Sequence, residues 1–127
     1  MSKQLLFVLS SPPAGVPAVE YFEWYEAHLD ELLEVRGFVS AQRFLVQDLG
    51  SGESPEGHSH LAIYEVEGDL ADIPANMAEK DLIDRASYVR KKERDPSGPP
   101  LPSWWDEVAF TAWTCVPLGP RHAVDGA

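Results

Sequence analysis

A histidine in the first third of the chain stands where an acid or a base could work. His28 lies in the segment VEYFEWYEAHLDELLEV, whose apolar residues recur at the spacing of an amphipathic helix. Aromatic residues share that side of the helix with the imidazole, namely Tyr21, Trp24 or Tyr25. An imidazole has a reference pKa of about 6.5, so it exchanges protons near neutral pH. His28 is therefore the leading candidate for a general acid or base, and a histidine that only packs at the helix edge is the alternative.

An arginine in the strand predicted after this helix is the second candidate catalytic residue. Arg43 alternates with apolar residues, and its neighbours on the same strand face are Ala41 and Leu45. A guanidinium in such surroundings needs an anionic partner. That partner is either a carboxylate of the protein, which its 21 acidic residues favour slightly, or a carboxylate, enolate or phenolate of a substrate.

Aromatic and histidine side chains supply the candidates for substrate binding. They are Tyr21, Trp24, Tyr25, His60, Tyr64 and Trp113. His60 and Tyr64 fall on one face of a predicted strand, where both could reach the same pocket. The alternative is that these aromatic residues form the core, which is the commoner role of rings at helical spacing.

The sequence predicts neither a cofactor nor a metal. His58 and His60 have the spacing HxH, but they follow an acidic Gly- and Ser-rich loop and have no matching carboxylates, and the single Cys115 excludes a cysteine cluster. The chain also lacks a Gly-rich phosphate loop, a dinucleotide fingerprint and a nucleophile elbow.

Composition bounds the class of protein. A chain of 127 residues with 44% hydrophobic content is expected to build one core, so we expect one domain over residues 1–117 and a C-terminal tail over 118–127. The formal net charge of -11 argues against binding to nucleic acid or to an anionic membrane surface. No apolar run has the length of a membrane span or a typical secretion signal, which favours a cytoplasmic protein.

Local patterns predict six elements in the order strand, helix, strand, strand, helix, strand. Their expected ranges are Leu5–Leu9, Pro17–Arg36 with Gly37 as the C-terminal cap, Phe38–Gln47, His60–Glu67, Leu70–Lys92 with an interruption at Pro74, and Val108–Val116. The segment Asp48–His58 should be a mobile loop, because its Gly, Ser and Glu residues have little to bury.

The first helix is expected to have a buried apolar side and an acidic side in solvent. The buried side would carry Phe22, Tyr25, Leu29 and Leu32. The solvent side would carry Glu20, Glu23, Glu26, Asp30, Glu31 and Glu34.

A βαββαβ chain predicts an α+β fold of the ferredoxin-like kind, in which an antiparallel sheet has its helices on one face. The other face would stay bare although it carries apolar and aromatic side chains. Such a surface favours association. We therefore expect a homodimer through the helix-free sheet face.

The residues of these elements resemble a known family. The pattern from Trp24 to Phe44 (WYEAHLDELLEVRGFVSAQRF), the segment His60–Asp69 (HLAIYEVEGD) and a Trp in the last strand look like the EthD-like branch of the dimeric α+β barrel proteins. The resemblance implies a ferredoxin-like subunit that pairs into a dimeric α+β barrel, with a pocket between sheet and helices that takes a small-molecule ligand. It also implies a functional role for His28, although Asp30 stands where family members often have Pro.

Three functions are compatible with these features. The first is a cofactor-free enzyme of the lyase, isomerase or cyclase type, which moves a proton on an aromatic, polyketide-like or lactone substrate. The second is a non-catalytic ligand-binding or assembly module of the same fold. The third is a cofactor-free monooxygenase, an activity that the resemblance also allows.

Overall fold

The structure, a computed structural model, describes residues 4–50 and 58–126. Its four strands are β1 (Gln4–Ser11), β2 (Phe38–Leu45), β3 (His60–Val66) and β4 (Ala109–Cys115). Its α-helices are α1 (Ala18–Leu32), α2 (Ile73–Glu79) and α3 (Arg85–Arg94). Two short 3-10 turns, Leu70–Asp72 and Trp105–Glu107, precede α2 and β4.

The four strands form one antiparallel sheet in the order β2-β3-β1-β4. The apolar β1 lies inside the sheet, where Val8 faces Ala62 of β3 on one side and Ala112 of β4 on the other. The hairpin neighbours β2 and β3 pair directly. The predicted ferredoxin-like α+β fold is therefore confirmed.

The core lies between one face of the sheet and the helices. Alternate residues of each strand point to this face, because successive side chains of a strand lie on opposite sides. Tyr64 and Val66 of β3 are buried there against Tyr25 and Leu29 of α1. Leu82 and Tyr88 join the same cluster from the segment that contains α3. This packing holds α1 and α3 side by side over the sheet.

The helix boundaries differ from the expected ones. Helix α1 ends at Leu32, and a turn then leads to Gly37, whose φ of 96° is a conformation that glycine adopts readily. A Cβ atom at this glycine would lie 3.0 Å from the carbonyl oxygen of Glu67, so the position also needs a residue without a side chain. Gly37 therefore marks the entry to β2 rather than the cap of α1.

The second helical region has a short turn before Pro74, as expected, and one further break that was not expected. Pro74 lies in the first turn of α2, where a missing N–H costs nothing, so the helix begins there. The break falls at residues 80–84, where Asp81 has a φ of 57°. Asp84 then begins α3 with a capping box, in which its side chain and that of Ser87 each accept the other's backbone N–H.

Two predictions about the faces of α1 are wrong. Phe22 is 54% exposed, whereas Glu31, which was assigned to the solvent side, is 5% exposed. The reason is that α1 is covered on one flank by α3 and by the proline-rich segment of residues 95–102, which connects α3 to Trp104. The indole N–H of Trp24 donates to the carbonyl oxygen of Pro100 at 3.0 Å across this contact. The buried side of α1 is thus turned away from Phe22 and toward Glu31.

Two further segments complete the description of the chain. Most of the loop that was expected to be mobile, residues 51–57, lies outside the described residues. The described part of the tail after Cys115 is exposed and contains neither helix nor strand. None of the helices in residues 4–50 and 58–126 has the length and apolar character that crossing a membrane requires.

Candidate functional site

A cavity of about 440 Å³ lies between the sheet and the helices. This volume is within the range of small-molecule sites. Most of its wall is apolar, and its polar groups are few. The lining includes Trp24, Tyr25 and His28 of α1, Tyr64 of β3, Tyr88 of α3 and Trp105.

Aromatic rings surround the imidazole of His28 at one end of this cavity. It stacks on Trp24 with the ring centroids 4.7 Å apart, and the rings of Tyr88 and Trp105 lie 5.2 Å and 5.9 Å from it. The residue is 8% exposed. The packing fixes the orientation of the imidazole and leaves little room for water around it.

The carboxylate of Glu31 is the hydrogen-bonding partner of His28. It lies one helical turn further along α1, and its Oε1 is 3.0 Å from His28 Nδ1. Helix α3 supplies the other partners of the same carboxylate. Tyr88 donates its hydroxyl to Oε1, Lys92 donates to Oε2 at 2.7 Å, and the ammonium of Lys91 is 3.7 Å from Oε2. The result is a buried polar network that joins α1 to α3, here called the Glu31 network.

These contacts keep Glu31 ionised. Burial alone would raise the pKa of this carboxyl, but hydrogen bonds from His28, Lys92 and Tyr88 outweigh burial and lower its pKa from 4.5 to about 2. Burial and the hydrogen bond to Glu31 raise the pKa of Tyr88, so the phenol stays a donor.

The ionised carboxylate also decides the tautomer of His28. A carboxylate can only accept hydrogen bonds, so Nδ1 of the imidazole must carry a proton. In the neutral ring Nε2 is then the acceptor. The hydrogen bond through Nδ1 is the one that His28 makes with the residues that the structure describes, so Nε2 has no partner among them. The imidazole is therefore arranged as a base whose free nitrogen is available to a ligand.

Hydroxyl groups form a second polar cluster on the sheet side of the cavity. Tyr21 donates to Ser10 Oγ at 2.7 Å, and the Tyr25 hydroxyl interacts with Ser10 and with Tyr64. Ser10, Tyr25 and Tyr64 line the cavity, whereas Tyr21 is fully buried behind them. Burial is the main cause that raises the pKa of all three tyrosines, to about 12 for Tyr21.

Arg43 and His60 lie together outside this cavity. They line a smaller depression of about 240 Å³ near the ends of β2 and β3. The Arg43 guanidinium is 4.5 Å from the centre of the Tyr25 ring and 3.6 Å from a carboxylate oxygen of Glu26. Burial and the charge of Arg43 lower the pKa of His60. Arg43 is therefore linked to the cavity only through its contact with the Tyr25 ring. Its anionic partner is Glu26, a carboxylate of the protein, which is the alternative that the sequence slightly favoured.

Trp113 is placed on the opposite face of the sheet, so within one chain it does not line the cavity. It stacks on Phe7 with the ring centroids 6.3 Å apart. The alternation of β4 explains the placement, because Ala112 is the residue that faces the cavity.

Three residues of the site escaped the sequence analysis, namely Glu31, Tyr88 and Lys92. Glu31 stands three residues after His28, a spacing that predicts contact on a helix. It was nevertheless assigned to the solvent side, because it is one of six acidic residues in this segment. Tyr88 and Lys92 stand four residues apart, so they share one face of α3. No local pattern in the sequence shows that this face contacts α1.

The described residues offer little for a metal. Among residues 4–50 and 58–126, no three His, Cys, Asp or Glu side chains lie close enough together to hold an ion.

Lowering the pH should remove the stability that the ionised Glu31 carboxylate contributes to the fold. Because its folded pKa is below the ordinary value, Glu31 contributes stability that is fully present above about pH 4.5 and is lost as the pH falls toward 2. The difference in unfolding free energy between the wild type and Glu31→Gln should shrink over this window, as measured by urea denaturation at a series of pH values. A difference that stays constant would show that Glu31 is not ionised through these contacts.

Comparison with known proteins supports the fold. No protein-family model matches the chain, and no curated protein matches its sequence. Among solved structures, a "putative monooxygenase" from Shewanella loihica PV-4 is 13% identical, with a TM-score of 0.52, over 94% of this chain and 99% of that one. The protein At3g17210 from Arabidopsis thaliana is 12% identical, with a TM-score of 0.48, over 95% and 97%. The first likeness is one of fold, and it agrees with the small α+β architecture of this chain.

Proposed function

We propose that the protein is a small-molecule enzyme that transfers a proton without a cofactor, with His28 as the base. The observation that carries the proposal is the arrangement of one ring. Nδ1 of His28 is held by the ionised Glu31, and Nε2 is left without a protein partner beside a cavity of about 440 Å³. A histidine oriented by a buried carboxylate in this way is a recurrent form of catalytic base.

The reaction begins when Nε2 accepts a proton from an acidic C–H or O–H group of the substrate. The electron pair of the broken bond stays on the substrate as an enolate or phenolate, and the imidazole becomes a cation. Glu31 stabilises that cation through the hydrogen bond to Nδ1. Return of the proton to another atom completes an isomerisation or a cyclisation.

The cavity wall indicates the class of substrate. Rings of Trp24, Tyr25, Tyr88 and Trp105 surround a space that suits a planar, largely apolar molecule. An aromatic ketone, a polyketide-like enol or an unsaturated lactone has both this shape and an acidic C–H or O–H group. The resemblance of Trp24–Phe44 to the EthD-like branch supports the same class.

Deuterium exchange tests the proposal without knowledge of the natural substrate. The probe is 2-tetralone in D₂O, and NMR follows the loss of its α-hydrogen signals with and without the protein. We expect exchange that rises in proportion to protein concentration. Probe that binds, as seen by shifted imidazole signals, without faster exchange would favour the ligand-binding module instead.

A second probe separates proton transfer from oxygenation. A dihydroxynaphthalene would lose a phenolic proton in the same first step, and its phenolate could then react with O₂. An oxygen electrode measures whether O₂ is consumed. We expect no consumption above the protein-free rate, and consumption that depends on His28 would assign the chain to the cofactor-free monooxygenases.

We also propose that two copies associate through the helix-free face of the sheet. Phe7 of β1 lies between Ile63 of β3 and Trp113 of β4 on this face, and Trp113 is 40% exposed. One chain cannot cover these side chains. A stable interface of this kind typically buries about 1,600 Å² in total.

A charge placed on this face should separate the copies. Trp113→Glu would bring a carboxylate into the apolar interface, where burial without a partner costs several kcal/mol. Analytical ultracentrifugation should show a dimer for the wild type and a monomer for the variant. Val124→Glu in the exposed tail is the matched control and should remain a dimer. A wild type that sediments as a monomer at micromolar concentration would contradict the proposal.

A further inference from the structure

Two hydroxyls of the cluster on the sheet side of the cavity keep their protons available. Tyr21 donates to Ser10 Oγ at 2.7 Å. No carboxylate or main-chain oxygen among residues 4–50 and 58–126 accepts a hydrogen bond from Tyr25 or Tyr64. Each of these two phenols is therefore a donor that a ligand can use.

These two donors are at the cavity. Tyr21 is fully buried and has its acceptor in Ser10. Tyr25 and Tyr64 instead line the cavity, together with His28. Donors without a protein acceptor in a largely apolar wall suit a ligand that brings an oxygen.

The cationic side chain of Arg43 strengthens the Tyr25 hydroxyl as a donor. Its guanidinium lies over the face of the Tyr25 ring at 4.5 Å, and its side chain is 6% exposed. One of its nitrogens, Nη2, is buried without a hydrogen-bonding partner among the described residues. A cation held this close makes the phenol a stronger donor, and the charge of Arg43 acts to lower the pKa of Tyr25 and Tyr64 against the effect of burial.

We infer that the Tyr25 and Tyr64 hydroxyls are the oxyanion site of the cavity, donating to an oxygen of the bound molecule while Arg43 polarises them. This inference rests on the proposed function and narrows its substrate to a ketone, enol or phenol. When His28 Nε2 takes a proton from the carbon next to a carbonyl, the C–H electron pair forms a C=C bond and the carbonyl π pair moves to oxygen. The tyrosine hydroxyls stabilise the charge on that oxygen.

A pair of ligands that differ by one oxygen tests the site. 4-Nitrophenol, at a pH above its own pKa, presents a phenolate, whereas nitrobenzene has the same ring and no hydroxyl. Isothermal titration should show that Tyr64→Phe and Tyr25→Phe each weaken binding of the phenolate by about tenfold, the loss of one charge-assisted hydrogen bond. Binding of nitrobenzene should change by less than about twofold, because the apolar wall is kept.

Two further variants complete the test. Ser40→Ala is the control, since it removes a hydroxyl of β2 that donates to Glu65 and does not line the cavity, and it should leave phenolate binding unchanged. Arg43→Met should weaken phenolate binding and spare nitrobenzene, because its charge acts through Tyr25.

The outcomes separate this inference from the proposed function. Equal affinity of the wild type for the two ligands, or phenolate binding that Tyr25→Phe and Tyr64→Phe leave unchanged, would overturn the oxyanion site. Absence of catalysed deuterium exchange together with tyrosine-dependent phenolate binding would overturn the base and retain the site.

Discussion

Replacing Glu31 by alanine should lower the free energy of unfolding by about 3–5 kcal/mol, the typical cost of removing one partner from a buried charge pair. The carboxylate accepts from His28, Tyr88 and Lys92, and the side chain of Lys92 is only 10% exposed. Without Glu31 the ammonium is left in a poorly solvated place, and the phenol and imidazole lose their acceptor. For a domain of this size the melting temperature should fall by roughly 10–20 °C.

The control for this prediction is Glu23→Ala on the same helix. Glu23 is exposed, so its removal should change the free energy of unfolding by less than about 0.5 kcal/mol. Urea denaturation followed by circular dichroism measures both variants. A loss of less than about 1 kcal/mol for Glu31→Ala would show that the Glu31 network is not what holds α1 to α3.

Replacing His28 by alanine should slow proton transfer to the probe ketone by about 10²- to 10⁴-fold, the usual contribution of a positioned acid–base group. The variant should also lose stability, by about 1–3 kcal/mol, because the ring stacks on Trp24 and donates to Glu31. Both effects are expected, since the structure places His28 in the packed wall of the cavity. The rate must therefore be measured well below the melting temperature of the variant.

A second histidine provides the comparison. His60 also packs against an aromatic ring, with its centroid 5.4 Å from that of Tyr21, but it lies outside the cavity of about 440 Å³. His60→Ala should lose stability and keep the exchange rate within about threefold of the wild type. If both variants slow exchange equally, the loss reflects packing, and His28 is not the base.

Most of the fold could be predicted from local patterns. Strands β2 and β3 carry alternating side chains, β1 is a short apolar run, and α1 has helical periodicity, so each segment reveals its own type. The errors lie at helix ends and on the two faces of α1. The break at residues 80–84 was missed because this segment contains neither Gly nor Pro, and Asp81 itself adopts the left-handed conformation there.

The candidate site was predictable in part. His28, Trp24, Tyr25 and Tyr64 do line one cavity, whereas Arg43 and His60 line another and Trp113 lies on the opposite face of the sheet. Periodicity separates the two faces of a strand, but it does not say which face the helices cover. That choice follows from how the whole chain packs.

The sequence by itself determined the strands, the first helix and their order, and it placed Trp24 and Tyr25 beside His28, because these features depend on residues within one helical turn or a few strand positions. Only the tertiary structure decided the state of Glu31. In the sequence it is one acidic residue among many on a helix that appeared to face solvent there. Packing α3 against α1 brings Tyr88 and Lys92 to its carboxylate from 57 and 61 positions away, and those contacts keep it buried and ionised beside the histidine.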